Sequence, residues 1–273
     1  MKVTIAGYGS IGQFAARTLG RAHEIAAYDP PKGLGREEDL FDTDIVVIAV
    51  PTPSLPDGSC DTRLVEETVA KASPRRAIVC HSTVSIGTMD RLIQTYRKPL
   101  VYVPEYAGES EGHLYRNVEN RTFFFLGGYA PATEAVREML AEAYGPDTRT
   151  FVQPPTVVET VKYMENAFLA LKVGFCNSFY DLCQGLGIEY EAVRELWLQD
   201  SRVGESHTLV TEERGYGGKC LPKDVAAVCA TARGSGTPLD LLETLQEVNT
   251  RQRMLARMAG AVVVGAGAPR GGA

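Results

Sequence analysis

Apolar residues form short continuous runs in the first half of the chain. Residues 44–50 read DIVVIAV, which is typical of a parallel strand that is covered on both faces. Similar runs at residues 2–6, 24–28, 77–80 and 100–103 predict further strands. The pattern therefore predicts an α/β sheet.

A glycine-rich turn follows the first of these strands. Gly7, Gly9 and Gly12 form the pattern GxGxxG, directly before a helix that we predict over residues 13–21. Such glycines permit a tight turn, close approach of a pyrophosphate, and close packing of helix on strand. A strand, glycine turn, helix and strand in this order predict a Rossmann-like, doubly wound parallel sheet.

The second predicted strand ends at Asp29, where an acid holds ribose hydroxyls and repels a 2′-phosphate. This favours NAD over NADP as the cofactor, although Lys32 lies close in sequence. Only fourteen residues separate Asp29 from Asp44. That length is too short for a full crossover, so we expect an abbreviated unit after the second strand.

Polar residues follow three other predicted strands, with Thr52, Thr83 and Glu105 just beyond the strand ends. Ligands of open α/β sheets bind outside the carboxyl ends of the strands. We therefore expect the cofactor to contact residues of these turns, namely Gly7, Gly9, Ser10, Ile11, Gly12, Asp29, Pro51, Thr52, Ser82 and Thr83.

Residues 156–186 have the apolar spacing of one helix about thirty residues long. Lys162 and Asn166 are four residues apart and share a face of it. Two solvated surface residues would give the same pattern. A helix this long and this apolar predicts a homodimer built around it.

The segment GYGGKCLPKD, residues 215–224, is the sharpest chemical signal in the chain. Cys220 stands between two lysines and near the start of a predicted helix, and both features favour a thiolate. Asp224 follows one helical turn later. Tyr216 and Gly217 belong to a turn that brings backbone close to a ligand, so we expect them to contact the substrate.

The charge balance of 28 basic against 34 acidic residues makes a nucleic-acid partner improbable. No apolar stretch approaches the roughly 20 residues that span a bilayer, so we expect no membrane association and a cytoplasmic protein. The six cysteines lack paired spacing and are expected to be reduced. The four histidines show no ligand spacing, and no metal site is predicted.

Five segments in order resemble motifs of the UDP-glucose/GDP-mannose dehydrogenase family: STV at 82–84, PEY at 104–106, KYMENAFLALK at 162–172, DSRVG at 200–204 and GYGGKCLPKD. The resemblance implies two hydride transfers to successive NAD molecules, with a thiohemiacetal and a thioester on the cysteine. The resemblance implies that Cys220 is the nucleophile, that Lys162 and Asn166 hold the substrate oxygen, and that Asp224 activates water. It implies that Glu105 is the base of thioester hydrolysis, with Thr83 as its partner through water. It further implies that Glu109 is an acid near the nicotinamide and that Arg202 contacts the substrate of the neighbouring subunit.

The resemblance predicts residues 1–155 as the NAD-binding domain and 156–258 as a small all-helical dimerisation domain that carries the cysteine. The family normally continues into a further domain that helps to bind the substrate nucleotide. Residues 259–273 resemble a remnant of its first strand or a disordered tail. We therefore expect a primary alcohol other than ordinary UDP-glucose, either a nucleotide sugar or a smaller phosphorylated or glycosidic alcohol.

Two other functions stay open. A two-electron hydroxyacid dehydrogenase also has a Rossmann domain and a long helix, but it has no use for the thiolate of Cys220. A non-catalytic NAD-binding homologue would need none of the catalytic residue types that this chain has.

Overall fold

A computed structural model describes residues 1–107 and 114–266 of the chain. The chain divides into two compact units, residues 1–162 (the N-terminal unit) and 163–273 (the C-terminal unit). The boundary lies inside the long helix.

One mixed sheet of seven strands forms the centre of the N-terminal unit. The strands are β1 (Lys2–Ala6), β2 (Glu24–Tyr28), β3 (Ile45–Ile48), β4 (Ala77–Cys80), β5 (Leu100–Tyr102), β6 (Phe123–Gly128) and β7 (Arg149–Gln153). Their order is β2-β1-β3-β4-β5-β6-β7. All neighbouring pairs are parallel except β5 and β6, where Val101 lies opposite Gly128 in an antiparallel register. The predicted fold class is confirmed, with this one antiparallel pair as an addition.

Helices cover both faces of this sheet. They are α1 (Ser10–Leu19), α2 (Arg63–Lys71), α3 (Thr88–Tyr96), α4 (Ala132–Tyr144) and the first part of α5 (Pro155–Leu186). Successive β3 residues point to opposite faces: Val47 joins a core with residues of α1 and α4, and Ile48 joins a second core with residues of α2 and α3. All four β3 residues are fully buried, as their continuous apolar run predicts.

The connection between β2 and β3 is short, as expected. It holds two 3₁₀ helices, Pro30–Lys32 and Glu37–Leu40, and passes β1 to reach β3, which pairs with the other edge of β1. Helix α1 begins at Ser10, three residues before the predicted start, so the glycine turn leads directly into its first turn.

The described part of the C-terminal unit consists of helices and the loops that join them, and no strand occurs there. After α5 come α6 (Tyr190–Trp197), α7 (Leu221–Gly234) and α8 (Asp240–Ala266). Residues 261–264, which resemble a strand in sequence, continue α8 as helix. Within residues 1–107 and 114–266, no helix combines the length and apolarity that crossing a membrane requires.

Candidate active site

The glycine turn has the geometry of a phosphate-binding loop. Gly7 has a φ of +91°, and a Cβ there would lie 2.7 Å from the carbonyl oxygen of Ala49. A Cβ on Gly12 would lie 1.9 Å from the carbonyl oxygen of Gly7. A Cβ on Gly9 would meet no described atom within 4 Å, so the loop is open at this point. Gly9 caps α1 without a side-chain hydrogen bond, which leaves first-turn N–H groups, those of Ser10 and Ile11 among them, for an anion.

Asp29 and Lys32 enclose the backbone of Tyr8 in this loop. The Tyr8 N–H donates to Asp29 Oδ2 at 2.8 Å, and Lys32 Nζ donates to the Tyr8 carbonyl oxygen at 2.6 Å. The ammonium lies 3.7 Å from Asp29 Oδ2. A ribose at the end of β2 would therefore meet a carboxylate with a lysine beside it. The loop and the acid together fit a dinucleotide.

Two hydroxyls join the loops that follow β3 and β4. Thr52 Oγ1 donates to the Thr83 carbonyl oxygen at 2.7 Å, and Ser82 Oγ donates to the Val50 carbonyl oxygen at 2.7 Å. The predicted cofactor-contact residues of these turns, with the exposed Pro51, therefore stand at neighbouring strand ends. The hydroxyls of Thr52 and Ser82 thus hold the two loops together by donating to backbone carbonyl oxygens.

Glu105 follows β5 with its side chain only 6% exposed. Its Oε1 accepts the N–H groups of Tyr106 and Ala107, each at 2.7 Å. Arg121, equally buried, lies 3.7 Å from Oε1, and its guanidinium lies 4.6 Å from the ring centres of Tyr106 and Phe124. Glu105 and Arg121 thus form a buried ion pair beside aromatic rings.

The charge of Arg121 decides the protonation of Glu105. Burial alone would raise the pKa of this carboxyl, but Arg121 and the two N–H donors, joined by His81 where it is protonated, outweigh burial and hold the pKa below its ordinary value. Burial also lowers the pKa of His81. His81 is therefore neutral near pH 7, and Arg121 is the cation that keeps Glu105 ionised.

Lys162 is buried and lies beside the PEY segment. Its Nζ donates to the Glu105 carbonyl oxygen at 3.1 Å and stands 4.2 Å from the centre of the Tyr106 ring. This contact excludes the interpretation of Lys162 as a solvated surface residue. The ammonium is positioned by backbone and by an aromatic face.

Cys220 is exposed, whereas Cys60, Cys80, Cys176, Cys183 and Cys229 are buried. It is the N-cap residue of α7 and makes no side-chain capping bond. The positive end of a helix favours a thiolate at this position. The structure therefore places Cys220 at the start of a helix, which is one of the two features that the sequence prediction used.

Asp224 lies one turn into α7 and is almost fully buried. Asn166 Nδ2 donates to Asp224 Oδ2 at 2.5 Å, and Lys223 Nζ donates to Oδ1 at 2.6 Å. The Asp224 N–H donates to the Cys220 carbonyl oxygen at 2.8 Å. The predicted residues Asn166, Asp224 and Cys220 are thus brought together through one carboxylate and the first turn of α7.

Two family models match the chain: the NAD binding domain of the UDP-glucose/GDP-mannose dehydrogenase family over residues 35–146, and the central domain of that family over residues 156–251. The chain belongs to the UDP-glucose/GDP-mannose dehydrogenase family. The N-terminal unit is accordingly an NAD-binding domain.

Relatives within the family include UDP-glucose 6-dehydrogenase AglM of Haloferax volcanii, 31% identical over 245 residues, which cover 80% of this chain and 55% of the relative. UDP-glucose 6-dehydrogenase of Rhizobium meliloti is 32% identical over 269 residues, which cover 90% of this chain and 60% of the relative. The chain thus spans little more than half the length of these relatives. The fold is similar to that of a UDP-glucose dehydrogenase from Pyrobaculum islandicum, with a TM-score of 0.77 and 24% identity over 92% of this chain and 68% of that one.

The predicted substrate contacts lie in two loops of the C-terminal unit. Arg202 is 87% exposed and is paired with Asp200, from Nη2 to Oδ2 at 2.5 Å. Tyr216 is buried, and Gly217 lies so close to Arg253 that a Cβ would stand 2.5 Å from Nη1. Glu109, the predicted second acid, lies outside the described residues. Among the described residues, no three His, Cys, Asp or Glu side chains form a group that could hold a metal ion.

Sequence reasoning missed several buried polar residues. Arg121 determines the charge of Glu105, and Asn177 and Asn249 hold the loop before Cys220. Each asparagine follows an apolar residue one helical turn earlier, Val173 before Asn177 and Leu245 before Asn249, which is only a weak signal of burial. A lone arginine in a loop before an FFF sequence gives no comparable signal.

Proposed function

We propose that the protein is an NAD-dependent dehydrogenase that oxidises a primary alcohol to a carboxylate by way of a covalent intermediate on Cys220. The observation that carries this proposal is the exposed thiol at the N-cap of α7, one turn before the buried Asp224. A dehydrogenase that stops at a carbonyl has no use for such a thiol. Membership of the family supports the same chemistry.

The proposed reaction balances over four steps. The alcohol loses a proton and a hydride to give an aldehyde, and the thiolate adds to the aldehyde carbon to give a thiohemiacetal. Loss of a second hydride leaves a thioester, and water cleaves its C–S bond to release the carboxylate and the thiolate. NAD, when bound, accepts one hydride in each oxidation. Overall, one alcohol, one water and two NAD⁺ give one carboxylate, two NADH and three protons.

Buried donors would stabilise the oxygen that becomes negative in these steps. We assign this role to Lys162 and Asn166, which are buried and four residues apart on α5. Asn166 uses one N–H for Asp224, and its amide has a second. Preorganised donors with little water around them stabilise developing charge best. Asp224, which also accepts from Lys223, would relay a proton or orient water.

Glu105 is our candidate base for thioester hydrolysis, with Thr83 as its water-mediated partner. Because Arg121 keeps the carboxylate ionised, it can accept a proton from water near pH 7. Its lowered pKa makes it a weak base, so placement of the water must contribute most of its effect. Glu109 stays the proposed second acid.

The substrate that we propose is a nucleotide sugar or a smaller phosphorylated or glycosidic alcohol, contacted by Arg202, Tyr216 and Gly217. We further propose a homodimer, because α5 presents a continuous exposed row of large apolar side chains. This α5 apolar face consists of Met164, Phe168, Phe175, Phe179, Leu182 and Leu186. Arg202 would then contact the substrate of the other subunit. We place the reaction in the cytoplasm, where free thiols persist.

The test is the ratio of NADH formed to alcohol consumed, with the product identified by mass. UDP-glucose, GDP-mannose and smaller sugar phosphates are the substrates to compare. Two NADH and an acid are expected. One NADH and a carbonyl would instead identify a two-electron dehydrogenase that uses Lys162 and Asn166. NAD binding without turnover of any of these alcohols would favour a non-catalytic homologue.

A further inference from the structure

The loop directly before Cys220 is held by two buried asparagines from different helices. Asn177 of α5 accepts at Oδ1 from the Gly215 N–H at 3.0 Å and from Arg214 Nε at 2.8 Å. Asn249 of α8 accepts the Tyr216 N–H at 2.7 Å and donates to the Tyr216 carbonyl oxygen at 3.0 Å. Three consecutive residues of the loop are thus fixed by side-chain amides.

The loop conformation needs this support. Arg214 has a φ of +54°, which is unfavourable for any residue except glycine, and Gly215 follows with a φ of +57°. Asp181 also binds the Arg214 guanidinium, at 2.6 Å. Backbone held in such conformations persists when surrounding contacts determine it, and it is concentrated at functional sites.

Glycines allow the loop to pack tightly on α8. A Cβ on Gly215 would stand 2.4 Å from Asn249 Oδ1, and a Cβ on Gly217 would stand 2.5 Å from Arg253 Nη1. Arg253 itself donates to the Arg214 carbonyl oxygen at 3.3 Å. The backbone of the loop therefore lies directly against polar groups of α8.

The two helices that supply the asparagines are themselves in close contact. A Cβ on Gly174 of α5 would stand 2.6 Å from Leu245 Cδ1 of α8. Gln252 of α8 donates to the Gly174 carbonyl oxygen at 3.3 Å. Asn177 and Asn249 therefore belong to a tightly packed pair of helices, and side chains on such rigid elements can hold a loop accurately.

We propose that Asn177 and Asn249 are positioning residues for Cys220, because they fix residues 214–216 of the loop that leads to the thiol at the start of α7. This inference rests on the proposed function, in which Cys220 is the nucleophile. The asparagines themselves touch neither substrate nor cofactor in this account. They set where the thiol stands relative to the helix that favours its ionisation.

The atoms involved provide conservative substitutions that test the inference. Asn177 uses only Oδ1 toward the loop, since its Nδ2 donates to the Val173 carbonyl oxygen at 2.9 Å. Asn177→Asp therefore keeps both loop contacts, whereas Asn177→Leu removes them. Asn249→Asp keeps the acceptor but loses the donor to Tyr216. Thr250→Ala is the matched control, because Thr250 is exposed and its hydroxyl donates to the Gln246 carbonyl oxygen of its own helix.

The experiment measures three quantities on the full chain: kcat, the rate at which iodoacetamide alkylates the Cys220 peptide across pH, and NAD affinity by calorimetry. Asn177→Leu, Asn249→Leu and Asn249→Asp should slow alkylation near neutral pH and lower kcat, by about 100-fold for the Leu variants, with NAD affinity unchanged. Asn177→Asp should restore most of the rate, and Thr250→Ala should match wild type. If the Leu variants do not fold, the contrast between the two Asp variants decides.

The inference is overturned if the Leu and Asn249→Asp variants keep the kcat and the alkylation profile of wild type while only their thermal stability falls. It is also overturned if Asn177→Asp is as impaired as Asn177→Leu. Failure of the proposed function would be distinguishable, because wild type would then form no acid, or Cys220→Ala would still form it. Alkylation of Cys220 reports on its position without any substrate.

Discussion

Strand β3 and helix α5 are both rich in apolar residues, but only β3 is fully covered. Its four residues have no exposed surface, whereas on α5 Met164 is 74% and Phe168 is 59% exposed. The N-terminal unit completes its own core and places polar groups at the ends of its strands. The C-terminal unit leaves an apolar face open and places the exposed Cys220 at the start of a helix. This difference is the basis of the proposal that the helical unit pairs with a second copy, whereas cofactor binding is expected within one chain.

The largest expected effect is on acid formation, which should depend on Cys220 of the C-terminal unit, whereas NAD binding by the N-terminal unit should not. Cys220→Ala should reduce acid formation at least about 1,000-fold, because no other exposed thiol is present among the described residues to hold the aldehyde. NAD binding should be unchanged. Acid is measured by mass spectrometry, with Cys229→Ala, which removes a buried thiol on the same helix, as the control. Undiminished acid formation by Cys220→Ala would remove the thiol from the mechanism.

The open face of α5 is tested by adding charge to it. Phe168→Glu combined with Leu182→Glu should convert the proposed dimer to a monomer, because each large apolar side chain contributes roughly 1.5–3 kcal/mol when it is buried. Light scattering at micromolar concentration measures this. Gln184→Glu, an exposed position of the same helix, adds the same charge and should stay dimeric. A monomeric wild type would contradict both the dimer and the proposed role of Arg202 across subunits.

The pH dependence of stability tests the burial of Glu159 in the N-terminal unit. Burial raises the pKa of Glu159 to about 7, although the N–H groups of Gly87 and Met89 oppose this by donating to its carboxylate. The folded chain therefore holds more protons than the unfolded chain between about pH 4.5 and 7. The free energy of unfolding should fall as pH rises through this window.

Glu159→Gln should remove most of this pH dependence, which amounts to about 3 kcal/mol at most. Urea unfolding at pH 5 and pH 8 measures it, and Glu24→Gln, an exposed position on β2, is the control. Equal pH dependence in wild type and Glu159→Gln would contradict the raised pKa and would mean that the two N–H donors fully offset burial.

The smallest effect concerns cofactor choice. Wild type should prefer NAD, and Asp29→Asn should raise NADP affinity by about 10-fold, because it removes the charge that repels a 2′-phosphate. Titration calorimetry with both cofactors tests this. Equal affinities in wild type would indicate that Lys32, which stands beside Asp29, reads the phosphate. Asp29→Asn combined with Lys32→Ala would then lose the NADP affinity.

Local patterns predicted the elements well. The apolar run of residues 44–50 identified β3 because a strand covered on both faces has no polar alternation. The short link between Asp29 and Asp44 could also be predicted from length alone. The antiparallel β5–β6 pair could not, because register depends on contacts across the chain and not on local spacing.

The candidate site likewise contains residues that local sequence predicts and residues that it does not. The position of Cys220 at the start of α7, with Asp224 one turn later, could be predicted because it follows from residues nearby in sequence. The contact between Asn166 and Asp224 could not, because 58 residues separate them. The charge of Glu105 could not, because it depends on Arg121, sixteen residues away, and on aromatic rings that enclose both. The burial of Glu159 likewise depends on Gly87, 72 residues away. Polar groups whose partners are distant in sequence have to be seen in the folded chain.

The most direct test of the account is to detect the covalent intermediate. The enzyme is mixed with NAD and a substrate that it oxidises, quenched in acid during turnover, digested and analysed by mass spectrometry. The account predicts an adduct with the mass of the thioester on the peptide that contains Cys220, absent when NAD is omitted and absent in Cys220→Ala. Acid formation by wild type with no such adduct on Cys220, or with the adduct on another residue, would contradict it.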